Sequence, residues 1–409
     1  MERVKRTQWL ICGLLFLAVT SLYMDRQLLS ILAPRLAQDR GWSETDYGNM
    51  VAAYQFAYAA GVFAAGWLID RLGTRVGFCL FVALWSLMTA AHGWALSVPT
   101  FIAARFALGL TQAGCFPCAI KATAEWFTKE ERALATGIFN SGSMVGPILA
   151  PLAILFLYAR SGWQVTCVAL GVVGLLWCAA WLALYRPPAS ALGPQLPALG
   201  LQAAERPMTL AELSRCRATW AFFFGKLLSD PAWWFFLYWL PKFLHDRHGV
   251  KLTQLGAPLV IIYTLTIFGS IGAGWLTKRL AGRGLPVRTA RKTVMLLCAL
   301  MPVPVLLAAS TPHVWLAVAL IGLATAGHAG WMANLFSLVS DSFPKSAVAS
   351  VTGIGTMAGA LGGILVAHLA GWILDATGSY WPLFALSAST YVVAWVTVHL
   401  LLPKKGVET

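Results

Sequence analysis

The chain has 409 residues, of which 58% are hydrophobic and only 11% charged, and its mean hydropathy is +0.70. Those values exclude an ordinary soluble domain and define a polytopic membrane protein. A net charge of +14 could suggest a nucleic-acid partner, but the basic residues sit in short loops between apolar runs rather than on one soluble face, so no nucleic acid is expected.

A spanning helix needs about 20 apolar residues. Twelve runs qualify in chain order: 8–33, 47–69, 76–95, 99–122, 133–157, 163–185, 217–244, 254–277, 290–309, 313–338, 347–373 and 380–402. The expected fold is an all-α membrane protein of twelve transmembrane helices. The basic start (Arg3, Lys5, Arg6) before an apolar run has the outline of a signal peptide. The run is too long and no small-residue cleavage site follows, so it reads as a retained first span. It also holds Asp25 beside Arg26. A charge near the bilayer centre costs roughly 2.5 to 3.5 kcal/mol on insertion scales, so both residues are expected to face a protein interior or a water-filled path.

Further basic residues follow the second run (Arg71, Arg75) and the eighth (Lys278, Arg279, Arg283, Arg288, Arg291, Lys292). If the helices alternate, all lie on one side, and the positive-inside rule places both termini in the cytoplasm. Eight cysteines are scattered, mostly within spans, and imply no disulfide framework. The spacing Cys115-Phe116-Pro117-Cys118 fits a redox or zinc site, but it lies mid-helix without a second ligand pair and reads as packing, so no metal is expected.

The chain is internally duplicated. GWLIDRLG (66–73) recurs as GWLTKRLA (274–281), and Phe127, Lys129, Thr136, Gly137 and Gly162 match Phe343, Lys345, Thr352, Gly353 and Gly378 at a constant offset of 216. Two pseudo-symmetric six-helix halves are expected, 1–185 and 217–409, with corresponding segments in the same orientation. Between them, residues 186–216 carry Pro187, Pro188, Pro194, Pro197 and Pro207. They read as a cytoplasmic linker ending in Thr209-Leu210-Ala211-Glu212, a capping-box pattern that opens a short surface helix.

GWLIDRLGTRVG (66–77) resembles the signature between spans two and three of the major facilitator superfamily, and the two-half layout agrees over the whole chain. The runs AIKATAEWFTKEERALATGIFNSGS (119–143) and KLLSDPAWWFFLYWLPKFL (226–244) resemble the anion:cation symporter family, in particular its hexuronate transporters, which carry glucuronate or galacturonate with protons into bacteria. The resemblance implies a major facilitator fold and assigns Tyr23, Asp25, Arg26 and Arg105 to substrate and proton handling. At Gln112 the chain departs from the family pattern, which has a glutamate seven residues after the arginine. Whether that glutamine is natural or introduced, it leaves Asp25 and Asp230 as the acids deep in the spans, and Asp25 as the expected proton site.

Arg105 and Gln112 are seven residues apart, about two helical turns, and share one helix face. Arg105 can grip a carboxylate through a bidentate fork, which fits an acidic sugar better than a neutral one, or it can close on Asp25; the two roles can alternate. Asp70, Arg71 and Arg75 are expected to hold a cytoplasmic gate by meeting helix ends and charges of the other half. Lys278 stands where the repeat would put a second Asp70, so the two gates are not equivalent. Lys121 is placed to snorkel to the interface.

Lys226 and Asp230, at i and i+4, can pair as a structural contact or open to bind sugar. Trp233, Trp234, Tyr238 and Trp239 follow within three turns as binding platforms or as packing. His328, Trp331 and Asn334 step by three, either lining a cavity for sugar hydroxyls or, for His328, making an ordinary helix contact. Gly137, Gly142, Gly146 and Pro147 in the fifth run and Gly353, Gly355, Gly359, Gly362 and Gly363 in the eleventh permit close helix approach where the halves slide. Gly142 to Pro147 partly resembles the glycine-proline motif of facilitator antiporters, which opens an efflux or exchange reading; Arg26 and Arg105 argue against drug efflux.

No phosphate-cradling loop, HExxH motif or nucleophile elbow is present, so the chain is not read as an enzyme and needs no cofactor. The expected function is proton-coupled import of a sugar acid by alternating access, with a related aldonate or organic-anion carrier and an uncoupled exchanger as alternatives. Expected partners are the small sugar acid, protons and the lipid bilayer of the bacterial inner membrane, around a monomer.

Overall fold

The structure is a computed structural model describing residues 2–127, 129–186, 208–343 and 345–402. Over these residues it is helical, without strands. The helices are α1 (Glu2–Arg40), α2 (Glu44–Ala91), α3 (Val98–Gln112), α4 (Cys115–Trp126), α5 (Lys129–Leu184), the short α6 (Leu210–Arg215), α7 (Arg217–His248), α8 (Gly256–Gly282), α9 (Val287–Leu300), α10 (Val314–Ser342), α11 (Lys345–Thr377) and α12 (Trp381–Leu401). The proline-rich part of the expected linker lies outside the described residues.

Twelve membrane crossings emerge because α2 and α5 each contain two. Gly73 (φ 73°) and Gly162 (φ 76°) sit in the left-handed region inside these helices, so the chain turns a corner there with no loop. Gly378, the repeat counterpart of Gly162, also has positive φ, 61°. That shared conformation is a physical reason for a glycine at both positions. The fourth span is two helices instead of one: it breaks at Ala113 and Gly114, and Pro117 follows in the first turn of α4. Proline has no N–H to donate back across that break.

The chain divides into two compact units, Met1–Trp42 with Asn49–Gly200, and Ser43–Gly48 with Leu201–Thr409. Within the first unit α1 packs chiefly on α5, and within the second its repeat counterpart α7 packs chiefly on α11. Gly146 of the fifth run and Gly362 of the eleventh seat these contacts inside the units. A Cβ on Gly146 would come within 2.6 Å of the Tyr23 Cβ, and one on Gly362 within 2.8 Å of the Leu227 carbonyl oxygen. Gly137 and Gly353 face open space.

The first unit's core centres on a column of rings at the end of α5 and the residue that follows it. Trp177 stacks on Trp181 (5.1 Å, 14°) and Trp181 on Tyr185 (4.2 Å, 20°), with Phe78 of α2 against both tryptophans. The indole N–H groups of these two tryptophans each find a carbonyl, Trp177 on Leu14 (2.8 Å) and Trp181 on Arg75 (3.0 Å). Cys115 and Cys118 are buried in this core, and all eight cysteines are free thiols.

α3 presses so closely on α2 that a Cβ at Gly109 would lie 2.3 Å from the Tyr54 carbonyl oxygen. Backbone cannot yield there as a flexible side chain could. Gly109→Ala is therefore expected to lower the thermal midpoint in detergent, overpacking of this kind costing about 1 to 3 kcal/mol. An unchanged midpoint would show that the two helices separate freely.

Candidate functional site

In the first unit α1, α2 and α3 bring the predicted charges together. Asp25 and Arg26 are both 2% exposed and Arg105 is 1% exposed. The Arg26 guanidinium lies over three tyrosine rings, Tyr58 at 4.6 Å, Tyr23 at 4.7 Å and Tyr54 at 5.6 Å. The Arg105 guanidinium also lies over the Tyr54 ring, at 5.8 Å. Asp25 faces Thr89 and lies in the field of Arg105. Ring faces carry negative charge density, so such a frame holds a desolvated cation without neutralising it.

Gln112, fully buried, accepts a hydrogen bond from the Tyr54 hydroxyl at 2.6 Å. Tyr54 thus joins both arginines to position 112. It is absent from the residues that the sequence singles out, although Tyr54 and Tyr58 stand four apart in an apolar run and stack at 6.2 Å.

The second unit has its own charged group. On α7 the Lys226 ammonium meets the Asp230 carboxylate at 2.6 Å, with both side chains 9% exposed. Trp234 and Tyr238 stack on the same helix (5.8 Å, 14°). His328 of α10 lies flat on Trp233 (4.8 Å, 6°), and its Nδ1 is 2.7 Å from the Tyr391 hydroxyl of α12. Trp331 is fully enclosed near Tyr391. Asn334 uses its amide within the unit, accepting from the Thr277 hydroxyl (2.8 Å) and donating to the Gly330 carbonyl (3.0 Å).

The first turn of α2 groups with the second unit and is held by charge. Lys242 of α7 binds Glu44 (2.7 Å) and Asp246 (3.1 Å), and the Tyr380 hydroxyl donates to Asp246 (3.0 Å). Asp375 accepts the N–H groups of Glu44 and Thr45, both at 2.8 Å, and so caps α2 from another helix. Burial pushes the Glu44 carboxyl above its ordinary range, with the Lys242 ammonium opposing. The sequence analysis singles out none of these charges.

Of the gate residues, Arg71 is exposed, and the Asp70 side chain lies outside the described residues. Arg75 donates to the Leu182 carbonyl (2.6 Å), and neighbouring Thr74 and Tyr185 both donate to Glu125, tying the corner of α2 down within its own unit. Lys121 reaches the Ile69 carbonyl at 3.4 Å. The linker's capping box forms: Thr209 Oγ1 accepts from the Glu212 N–H (3.2 Å), and Glu212 accepts from the Thr209 N–H (2.6 Å).

Charged side chains enclosed within the spans of a helical membrane protein mark a polar path or site. The model of the Major Facilitator Superfamily matches residues 15–367, and the chain belongs to that superfamily. It is 27% identical to a hexuronate transporter of Escherichia coli strain K12, over 99% of this chain and 96% of the relative. It is 26% identical to a D-galactonate transporter of Escherichia coli O6:H1, over 95% and 94% of the two chains. Among solved structures, a bacterial homologue of the human lysosomal transporter Spinster, inward-facing and unoccupied, superposes with a TM-score of 0.77 at 19% identity, covering 97% of this chain and 95% of that one.

Proposed function

We propose that this transporter imports a hexuronate such as glucuronate or galacturonate together with protons, by alternating access of two six-helix halves across the bacterial inner membrane, as a monomer with both termini cytoplasmic. The observation that carries the reading is the enclosure of two guanidinium groups in the first unit, Arg26 over three tyrosine rings and Arg105 with its field on the Asp25 carboxylate. Groups of this kind suit a small carboxylate. Relatives of nearly equal length carry names of sugar-acid transporters, which supports the same substrate class.

In this reading Asp25 takes the proton, and Arg26 and Arg105 take the substrate carboxylate with Tyr23 beside them. Lys226, Trp234, Tyr238, His328, Trp331 and Asn334 serve the sugar from the second half. Asp70, Arg71 and Arg75 hold the cytoplasmic gate. Gln112, which cannot titrate, favours an uncoupled exchanger as the second reading.

Counterflow into liposomes loaded with one radiolabelled sugar acid, with glucuronate, galacturonate, galactonate and glucarate as competitors, tests the substrate class. At least one of the four is expected to compete. Neutral sugars and sugar alcohols of the same size are expected to bind at least about tenfold more weakly, the ~1.4 kcal/mol that one charge-assisted contact readily supplies. Equal competition by neutral sugars would replace the sugar-acid reading with efflux or a neutral-solute carrier.

A further inference from the structure

The chain has no Asp or Glu from residue 247 to residue 340, yet Lys278, Arg279, Arg283, Arg288, Arg291 and Lys292 crowd the corner where α8 turns into α9. The corner is tight: Arg283 caps α8, Gly284 takes a left-handed φ of 95°, and α9 starts at Val287. Two of these cations have settled partners. Arg291 is paired with Asp341 of α10 at 2.7 Å, and the Lys292 ammonium donates to the His399 carbonyl of α12 at 3.3 Å. Arg288 is half-buried in the field of Asp341, and its Nε and Nη2 meet no hydrogen-bond acceptor among the described residues. Arg279 and Arg283 are exposed.

An exposed apolar stripe leads up to these charges. Phe268, Ile271 and Trp275 of α8 are 64%, 65% and 57% exposed, and Arg279 and Arg283 continue that side of the helix in steps of four. The Arg279 guanidinium lies over the Trp275 ring at 5.0 Å. Apolar side chains, then a tryptophan, then cations follow the order in which a bilayer changes from acyl chains through its interface to phosphate. A nucleic acid would find no use for the apolar part of that order.

We propose that the α8–α9 corner binds an anionic phospholipid such as phosphatidylglycerol, with Arg279, Arg283 and Arg288 on its phosphate and an acyl chain along Phe268, Ile271 and Trp275. Guanidinium forks match phosphate oxygens, and Arg288 has donors left to fill. A zwitterionic headgroup is disfavoured, because it would set its own ammonium among these cations while the acid beside them, Asp341, is held by Arg291. The site is independent of what the protein transports.

The test titrates the full-length protein in detergent with phosphatidylglycerol and with phosphatidylcholine of the same dioleoyl chains, and counts bound lipid by native mass spectrometry. Each basic residue near an anionic lipid surface contributes about fivefold, so the three arginines are expected to set a preference for phosphatidylglycerol of about a hundredfold. Arg279→Gln/Arg283→Gln/Arg288→Gln is expected to bind the two lipids alike. Arg247→Gln/Lys251→Gln, which removes two cations from the other end of the same unit, is expected to keep the preference. Equal binding of both lipids by the parent, a preference that survives the triple substitution, or an equal loss in the Arg247/Lys251 variant overturns the site. sn-Glycerol 1-phosphate, the phosphate ester without acyl chains, is expected not to compete at the same concentrations; competition as strong as the lipid's would assign the arginines to free phosphate esters and overturn the lipid. Should the triple variant fail to fold, Arg283→Gln alone, at an exposed position, is expected to lose about fivefold in phosphatidylglycerol affinity, and an unchanged affinity there overturns the proposal.

Discussion

Replacing Arg26 or Arg105 by alanine is expected to abolish measurable binding of a sugar acid, the largest single-residue effect foreseen for this protein. Each guanidinium is almost wholly enclosed (2% and 1% exposed), so a carboxylate that reaches it does so with little competing water. Removing one partner of such a desolvated charge pair typically costs 2 to 5 kcal/mol, which is a loss of about 30-fold or more. Lysine keeps the charge but loses the planar fork, and at position 26 it also loses a flat surface against three tyrosine rings. Arg→Lys variants are therefore expected to bind weakly, ranking between the parent and the alanine variants. Thermal-shift titration with D-glucuronate reads all four. Unchanged affinity in both alanine variants would remove the anion clamp altogether.

The second large effect concerns coupling. Gln112→Glu is expected to strengthen uptake driven by a pH gradient while leaving counterflow, which needs no gradient, intact. Glutamate can keep the acceptor oxygen that receives the Tyr54 hydroxyl at 2.6 Å, and it adds a charge that responds to both arginines through that tyrosine. A group reports coupling only if its protonation depends on whether substrate is present. With the arginines occupied by substrate, a carboxylate at 112 loses their support and binds a proton more readily. One additional coupled proton is worth 1.36 kcal/mol per unit of pH gradient, about a tenfold greater accumulation ratio. If the parent chain concentrates substrate as strongly as the variant, position 112 has no part in coupling, and the proton work belongs to Asp25 alone.

Much of the architecture was readable because its causes are local. Spans follow from apolar run length, and the capping box follows from Thr209 and Glu212 three residues apart. The charges at Asp25, Arg26, Arg105, Lys226 and Asp230 stand out because the membrane makes each of them expensive. Features that depend on a distant partner were not readable. The break before α4 had a local signal in Pro117, yet its location at Gly114 also reflects packing, since a Cβ there would fall 2.3 Å from the Phe81 ring. Nothing near Tyr54 in sequence shows that it bridges Arg105 and Gln112. The slide expected of Gly146 and Gly362 was misplaced for the same reason. Helix-face spacing identifies a close approach but not the partner, and these two glycines face α1 and α7 of their own units.

The capping of α2 by Asp375 has a consequence for the order in which the protein can be made. The Glu44 N–H and the carboxylate that receives it are 331 residues apart in the chain. At synthesis rates of about 5 to 20 residues per second, roughly 15 to 65 s separate their emergence from the ribosome. Lys242 is also made long after Glu44, so throughout that interval the start of α2 keeps its local capping box, Ser43 with Asp46 (both bonds 3.0 Å), but lacks Asp375 and its counter-ion. The Glu44 and Thr45 amides gain their protein acceptor only once Asp375 of α11 has been made. Hydrogen exchange at Glu44 and Thr45 would therefore time the completion of the second unit, although both residues belong to the earliest-made tenth of the chain or close to it.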